Sequence, residues 1–290
     1  MKPAIFDYYA PETLNESLNL LEEHGFDSKI LSGGQSLIPM MNMRLARPGV
    51  IIDINQLHEL DYIDITDDYI EVGGLTRQHS VENHEKINEI CPFLIEGMKY
   101  VGHSQIRSRG TVGGSIVHAD PTAEIPVMLT ALGGTVMVQS NEGKREVEPD
   151  ELFLTYMTTT IEPEEILVSA KFPIPKGRSG QAIEEFTMRS GDFAIVLAAC
   201  NVKLNDQNEI SEATLVLGGV DGAPIVLDEV TDELMGLTPD METIQKSTEQ
   251  ITELIDPEED VHASDDYRKD LAVTLSNRVL MKAIERAKDN

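Results

Sequence analysis

Leu31-Ser32-Gly33-Gly34-Gln35-Ser36-Leu37 constrains the architecture most, and Gly110-Thr111-Val112-Gly113-Gly114-Ser115, far along the chain, is its counterpart. Each pairs glycines with hydroxyl residues. Glycine has no Cβ, so its backbone can approach a ligand closely and turn N–H groups toward it. Consecutive inward N–H groups form a concavity suited to a pyrophosphate. The hydroxyls of Ser32, Ser36, Thr111 and Ser115 add donors, and two such loops can grip one diphosphate from both sides. The plainer reading of any single Gly-Gly pair is a turn. Gly73-Gly74, Gly133-Gly134 and Gly218-Gly219 are read that way, as turns at strand ends. The first loop is not a Rossmann fingerprint, because G-x-G-x-x-G is missing, and not a P-loop, because no Gly-Lys-Ser/Thr follows.

Working outward, a short strand at Lys29–Leu31 runs into the first loop, and a helix over Leu37–Leu45 leaves it. Before them, Thr13 and Glu16 make a capping box, Leu14, Leu18 and Leu21 form an apolar stripe, and Gly25 supplies the stop. Further strands are expected at Val50–Ile54, Tyr69–Val72, Thr135–Gln139 and Ile166–Phe172, with helices at Cys91–Val101 and Glu124–Leu132. Pro173 to Gly180 is the best linker candidate. Beyond it come apolar runs at Ala194–Val202 and Ala213–Val220, then a closing helix from about Asp265 to Ala287 with Leu271, Leu275, Leu280 and Ile284 at near-helical spacing. The pattern is an α+β fold, a larger domain followed by a smaller one with strands first and helices last.

The chain has 290 residues, room for roughly two domains. Its 41% hydrophobic content suffices for a core. No apolar run approaches the roughly 20 residues of a membrane span, and the first residues lack a signal peptide's apolar core, so the chain reads as cytoplasmic. Cys91 and Cys200 stand alone in apolar surroundings and read as buried free thiols. Two cysteines cannot hold an iron–sulfur cluster, which needs about four thiolates. Lys plus Arg is 23 against 51 Asp plus Glu, a net charge of −28. That charge repels nucleic acid and anionic membrane. It is either an ordinary solvated surface or an adaptation to salt.

Longer stretches carry a family resemblance. Ser32-Gly33-Gly34-Gln35-Ser36-Leu37-Ile38-Pro39-Met40-Met41, with Arg44-Leu45-Ala46-Arg47-Pro48, resembles the first flavin loop in FAD-binding medium subunits of molybdenum hydroxylases. These are the subunits of aerobic carbon monoxide dehydrogenase and xanthine dehydrogenase. Gln105-Ile106-Arg107, the second glycine loop, His118-Ala119-Asp120-Pro121 and Glu124-Ile125-Pro126 resemble the second. Arg189 to Ala194, Tyr267-Arg268 and Asn277 to Leu280 resemble segments of the family's C-terminal domain. The resemblance spans essentially the whole chain.

It implies a two-lobed FAD-binding domain of the vanillyl-alcohol oxidase type over residues 1–177, with lobes at about 1–56 and 57–177. A C-terminal domain of carbon monoxide dehydrogenase flavoprotein type would cover 178–290. Leu31, Ser32, Gly33, Gly34, Gln35 and Ser36, with Thr111, Val112, Gly113, Gly114 and Ser115, would then hold the FAD diphosphate. Glu124 would lie near the ribose or adenine, where a carboxylate accepts from hydroxyls; read alone, it is a first-turn helix carboxylate. Leu167 would lie near the adenine, or be a strand core residue. Phe193 would pack by the isoalloxazine, or be a core Phe at a strand start. Some relatives carry Lys where this chain has Glu185, so a flavin contact by that Lys is not carried over. His118 and Asp120 read as loop-shaping residues rather than metal ligands. Wider-fold relatives attach FAD through a His in or near the glycine loop; Gln35 implies non-covalent FAD.

The implied role is electron transfer, with no catalytic residue and no metal site in this chain. A large subunit with molybdopterin and a small subunit with iron–sulfur clusters would be partners, in a dimer of heterotrimers. Electrons would pass from the clusters through FAD to an external acceptor. The alternatives are a self-contained FAD oxidoreductase on the same fold and a scaffold without flavin.

Overall fold

The computed structural model describes residues 1–290. Helix α1 (Leu14–His24) starts at Thr13, whose hydroxyl accepts from the Glu16 N–H at 3.2 Å. Glu16 reaches back to the N–H of Glu12 at 2.9 Å, one residue beyond the reciprocal partner of a strict capping box. Leu18 and Leu21 bury the helix, and Gly25, at φ 49°, ends it. Around it forms a parallel sheet of β1 (Asp7–Tyr9), β2 (Ser28–Leu31) and β3 (Val50–Asp53), with β3 in the middle. Val50, Ile51 and Ile52 are all buried, as a central parallel strand requires.

Between β2 and β3 lies α2 (Leu37–Asn42), shorter than the expected Leu37–Leu45. The Leu45 N–H turns back to the Met40 carbonyl at 2.9 Å, and Arg44 takes a left-handed φ of 61°, which ends the helix. The first glycine loop is thus the β2–α2 connection.

The next segment forms a five-stranded antiparallel sheet in the order β4-β5-β10-β6-β7: β4 (Ile63–Ile65), β5 (Tyr69–Gly73), β6 (Thr135–Gln139), β7 (Lys144–Val147) and β10 (Ile166–Pro173). Between β5 and β6 run α3 (Gln78–Glu82), α4 (Glu85–Ile90), α5 (Pro92–Met98), α6 (Ser104–Arg107), α7 (Val112–His118) and α8 (Glu124–Ala131). The helix expected from Cys91 begins at Pro92, because Cys91 is non-helical, at φ −149° and ψ 66°, and serves as its N-cap. Helix α9 (Pro149–Leu152) and a ribbon of β8 (Phe153–Thr155) and β9 (Thr158–Thr159) precede β10. The second glycine loop opens α7.

The Pro173–Gly180 linker is shorter than its composition suggests. Pro173 ends β10 and Ser179 begins β11 (Ser179–Phe186), so only residues 174–178 cross over. An antiparallel sheet then joins β11, β12 (Val196–Leu204), β13 (Ile210–Gly218) and β14 (Ile225–Val226). Helices α10 (Asp228–Asp232), α11 (Met241–Glu249), α12 (Ile251–Leu254) and the long α13 (Asp265–Asp289) follow. Strand β12 is buried on both faces. Val196, Ala198, Cys200, Val202 and Leu204 join one core with α13.

 In the other register, Leu197 and Ala199, with Ile183 of β11 and Val216 of β13, belong to the core that the helices and sheet of the first domain build. The domains are also tied by a fork: the Arg286 guanidinium of α13 donates to both Glu96 carboxylate oxygens of α5 at 3.0 and 2.6 Å. No helix is long and apolar enough to cross a membrane.

Candidate functional site

The structure brings the two glycine loops into contact. The Ser32 and Thr111 hydroxyls are hydrogen-bonded at 2.7 Å. A Cβ on Gly33 would stand 2.6 Å from the Arg109 carbonyl oxygen and 2.8 Å from Gly110 Cα, so the loops meet this closely only because residue 33 has no side chain. Gly34 holds φ at 73°, which turns the chain from β2 toward α2. A cleft of about 330 Å³ opens beside this contact, lined by Leu31 to Gln35, Ile38, Pro39, Asp53, Asn55 and Arg109. A second cleft of about 370 Å³ lies along α1 and is lined by none of the glycine-loop residues.

The two loops differ in what they offer. The backbone N–H groups of Ser32, Gly33, Gly34, Gln35 and Ser36 find no acceptor within the chain, and all but that of Ser36 belong to residues lining the cleft. Such a run of open donors has the chemistry of an anion-binding nest. The Gln35 side chain folds back onto the Gly33 carbonyl at 3.1 Å. In the second loop most N–H groups are already bonded. Val112 donates to the Thr76 carbonyl at 3.0 Å, Gly113 to Gly74 at 3.1 Å and Ser115 to Thr111 at 3.2 Å. Gly114 donates to Thr111 Oγ1 at 3.0 Å, the N-cap of α7. The expectation of inward N–H groups from both loops is therefore corrected. The second loop presents the Thr111 and Ser115 hydroxyls and the Thr111 N–H.

Behind the second loop lies a third glycine pair that the sequence reading took for a plain turn. A Cβ on Gly113 would stand 2.6 Å from the Gly74 carbonyl oxygen, and one on Gly74 would stand 2.4 Å from that of Leu167. Gly74-Leu75-Thr76-Arg77 is thus the backbone against which the second loop is built. Its signal was present: glycines followed by a hydroxyl, as in the other loops. Asn55 and Arg77 were missed as well. Asn55 donates to the Ser32 carbonyl at 2.8 Å, and Arg77 donates to Asn55 Oδ1 at 2.7 Å and to the Arg109 carbonyl at 2.6 Å.

Two family models together match most of the chain. The FAD binding domain in molybdopterin dehydrogenase matches residues 4–175, and the CO dehydrogenase flavoprotein C-terminal domain matches residues 181–283. The chain belongs to the FAD-binding subunit family of the molybdenum hydroxylases. The 6-hydroxypseudooxynicotine dehydrogenase complex subunit alpha of Paenarthrobacter nicotinovorans is 38% identical over 289 residues, 99% of this chain and 97% of that one. Caffeine dehydrogenase subunit beta of Pseudomonas sp. (strain CBB1) is 34% identical, with 99% and 97% covered. Among solved structures, carbon monoxide dehydrogenase from Hydrogenophaga pseudoflava matches with a TM-score of 0.95 at 29% identity, covering 99% of both chains. Quinoline 2-oxidoreductase from Pseudomonas putida 86 matches at 0.94 and 32% identity, covering 99% of each.

The remaining residues singled out in the sequence differ in burial and contacts. Glu124 opens α8 and is only 8% exposed; burial pushes its carboxyl up to about 7, helped by the charge of Asp120 and opposed by Arg107. Glu185, on β11, is pushed up to about 8 by burial and by the charge of Glu124, and its Oε2 is buried without a partner. Leu167 is 5% exposed and packed in the first core, its carbonyl against Gly74. Phe193 is 73% exposed, in the connection before β12, so it is not a core residue at a strand start. Asp120 accepts from the N–H and hydroxyl of Thr122 at 2.9 and 2.7 Å, which shapes the turn after α7. Cys91 and Cys200 are fully buried free thiols; burial raises the Cys91 thiol to about 12 and Cys200 further in the same direction.

Proposed function

We propose that this chain carries FAD as the electron-transfer subunit of a molybdenum hydroxylase, taking electrons from iron–sulfur clusters of a small partner subunit and passing them to an external acceptor. The observation that carries the cofactor assignment is the run of open N–H donors from Ser32 to Ser36, with the Thr111 hydroxyl of the second loop bonded to that of Ser32. Donors of this kind fit a diphosphate, and the glycines leave room for it. When bound, FAD supplies the one- and two-electron redox chemistry.

The chain's own residues bind and orient. Leu31 to Ser36 supply backbone donors and the first wall of the cleft. Thr111 and Ser115 supply hydroxyls, while Val112, Gly113 and Gly114 hold those hydroxyls in place. Glu124 accepts from ribose hydroxyls, Leu167 backs the adenine side, and the exposed Phe193 ring packs by the isoalloxazine. The cofactor is held non-covalently, because Gln35 offers no nucleophile in the loop. The domain division falls at 177/178, with lobes at about 1–56 and 57–177.

The partner reading rests on the relatives, which are named as subunits of complexes or as medium chains. A large molybdopterin subunit and the small subunit would complete a dimer of heterotrimers in the cytoplasm. Substrate choice falls to the large subunit: the same fold serves a carbon monoxide dehydrogenase and a quinoline oxidoreductase. The test is purification of the chain with its genomic neighbours. The expected preparation is yellow, contains iron and molybdenum, and releases its flavin on acid denaturation. Flavin that stays with the denatured chain overturns the non-covalent assignment. Substrate turnover by the chain alone overturns the subunit reading in favour of a self-contained oxidoreductase.

A further inference from the structure

The glycine loops come from different lobes, and something must hold them at a fixed spacing. The direct contact between them is thin, one hydroxyl pair and the backbone approach at Gly33. A second connection runs behind the cleft. Asn55, just after β3, donates from Nδ2 to the Ser32 carbonyl at 2.8 Å. The same amide nitrogen lies 2.6 Å from Asp53 Oδ1, which also accepts from the Asn55 N–H at 3.0 Å, so the side chain is oriented from two sides. Its carbonyl accepts from Arg77 at 2.7 Å. The other arm of the Arg77 guanidinium donates to the carbonyl of Arg109 at 2.6 Å, immediately before the second loop. Arg77 also pairs with Thr111 in an isolated antiparallel bridge, so its backbone and its side chain both address the second loop.

We propose that Arg77, acting through Asn55, is a positioning residue for the cofactor: its planar fork is the strut that sets the gap between the two glycine loops. The inference rests on the FAD reading above and assigns a role to residues outside the loops. A guanidinium suits this task because it presents donors in a fixed plane, so two acceptors are held at a set distance and angle. A lysine ammonium is a point charge on a flexible stem and cannot fix that geometry. The carbonyls of Ser32 and Arg109 are the fixed ends. Pinning them leaves the N–H groups of Ser32 to Ser36 free to face the cleft. Arg77 therefore acts without touching the ligand.

The experiment uses the full chain with FAD bound. Arg77→Met, Arg77→Lys and Asn55→Ala are compared with the wild type for the rate of flavin release, read by recovery of flavin fluorescence. The phosphorus NMR signals of the bound diphosphate are read in parallel. Arg77→Met is expected to release FAD about tenfold faster or more, the scale of a lost charge-assisted hydrogen bond. Its phosphorus resonances should move toward those of free FAD. Arg77→Lys should fold with the wild-type thermal midpoint yet release FAD nearly as fast as Arg77→Met. Combining Arg77→Met with Asn55→Ala should add little to either alone, because both cut one strut. Wild-type release and phosphorus signals in Arg77→Lys overturn the proposal, as does full additivity of the double variant. If Arg77→Met does not fold, Arg77→Lys and Asn55→Ala decide the matter. A wild-type chain that binds no FAD would overturn the cofactor reading, a different result from FAD held equally well by wild type and variants.

Discussion

The two glycine loops look alike in sequence and do opposite work with their backbones. The first leaves the N–H groups of Ser32 to Ser36 without an acceptor, and all of these residues but Ser36 line a cleft. The second gives up the N–H groups of Val112 to Ser115 to its own helix cap and to the Gly74–Thr76 segment, and leaves the Ser115 hydroxyl unbonded. Glycine is required in both, for different reasons. Gly34 needs a left-handed φ to point donors outward, whereas Gly113 needs an absent Cβ so that another backbone can lie against it. The lesson is that a Gly-Gly pair announces close approach without saying what approaches. In one loop the partner is solvent-facing space for a ligand. In the other it is the protein itself.

The largest effect that tests this contrast is expected at Gly113. In Gly113→Val the new Cβ meets the carbonyl and Cα of Gly74, both backbone atoms that cannot swing aside. The cost should be about 3 kcal/mol or more, lowering the thermal midpoint by roughly 6 °C or more, with or without FAD. Gly34→Val should behave differently. It forces a branched residue into the left-handed region, a cost of about 1–2 kcal/mol, and misdirects the nest. The chain should remain folded by circular dichroism and purify nearly colourless. If Gly34→Val unfolds the chain while Gly113→Val keeps it stable but colourless, the assigned roles are the wrong way round.

A smaller effect separates hydroxyls from backbone donors. Ser115→Ala removes a hydroxyl that has no bond within the chain, and Thr111→Val removes one that also caps α7 and meets Ser32. Each should weaken FAD about fivefold to tenfold, in line with roughly 1 kcal/mol for a hydrogen bond. Thr111→Val should in addition lower the thermal midpoint through the lost cap. Ser36→Ala leaves the neighbouring N–H groups in place and should change release less than either. Equal losses at all three positions would erase the distinction between the loops.

The smallest effect concerns acid–base behaviour beyond the second loop. Glu124 and Glu185 are both raised from the ordinary 4.5, to about 7 and about 8. The folded chain therefore keeps protons that the unfolded chain releases, so stability falls as pH rises through this window and the loss is complete above about 8. Glu185→Gln removes one of these groups. It should leave the thermal midpoint of the flavin-free chain unchanged near pH 4 and raise it by about 2 °C at pH 9. The first loop holds no such buried carboxyl, and Gln35→Glu, which would set a carboxylate beside open N–H donors that favour its charged form, should not reproduce this profile. A midpoint that responds to Glu185→Gln equally at both pH values would show that packing rather than ionisation is responsible.

Much of the fold was legible because local signals agreed. Thr13 and Gly25 bracket α1, and the apolar strands at Val50, Thr135 and Ile166 appear within a residue or two of their expected ends. Where the reading missed, tertiary contacts had decided. Nothing in Arg44 advertises the left-handed turn that stops α2, because the turn is closed by backbone bonds to Met40 and Met41. The site was legible as loops and not as an assembly. Ser32 and Thr111 could be named from glycine spacing, but their contact depends on Gly33 facing the backbone of Arg109 and Gly110. Asn55 and Arg77 carry no local signal at all, since their roles exist only across the joint between lobes. Phe193 reads in sequence as a flavin contact or a core residue, and its exposure excludes the second.

The sheet of the C-terminal domain has a consequence for how the chain can be divided. Its β12 strand contributes alternate residues to two cores, one shared with α13 and one with the first domain. A party wall of this kind cannot be left standing on one side. Expressed alone, residues 181–283 would present Ile183, Leu197, Ala199 and Val216 to water, and the first domain would lose the cover over α5 and α8. The two family segments should therefore fold together rather than separately. Calorimetry of the whole chain should show a single cooperative transition, with no early melting of either half.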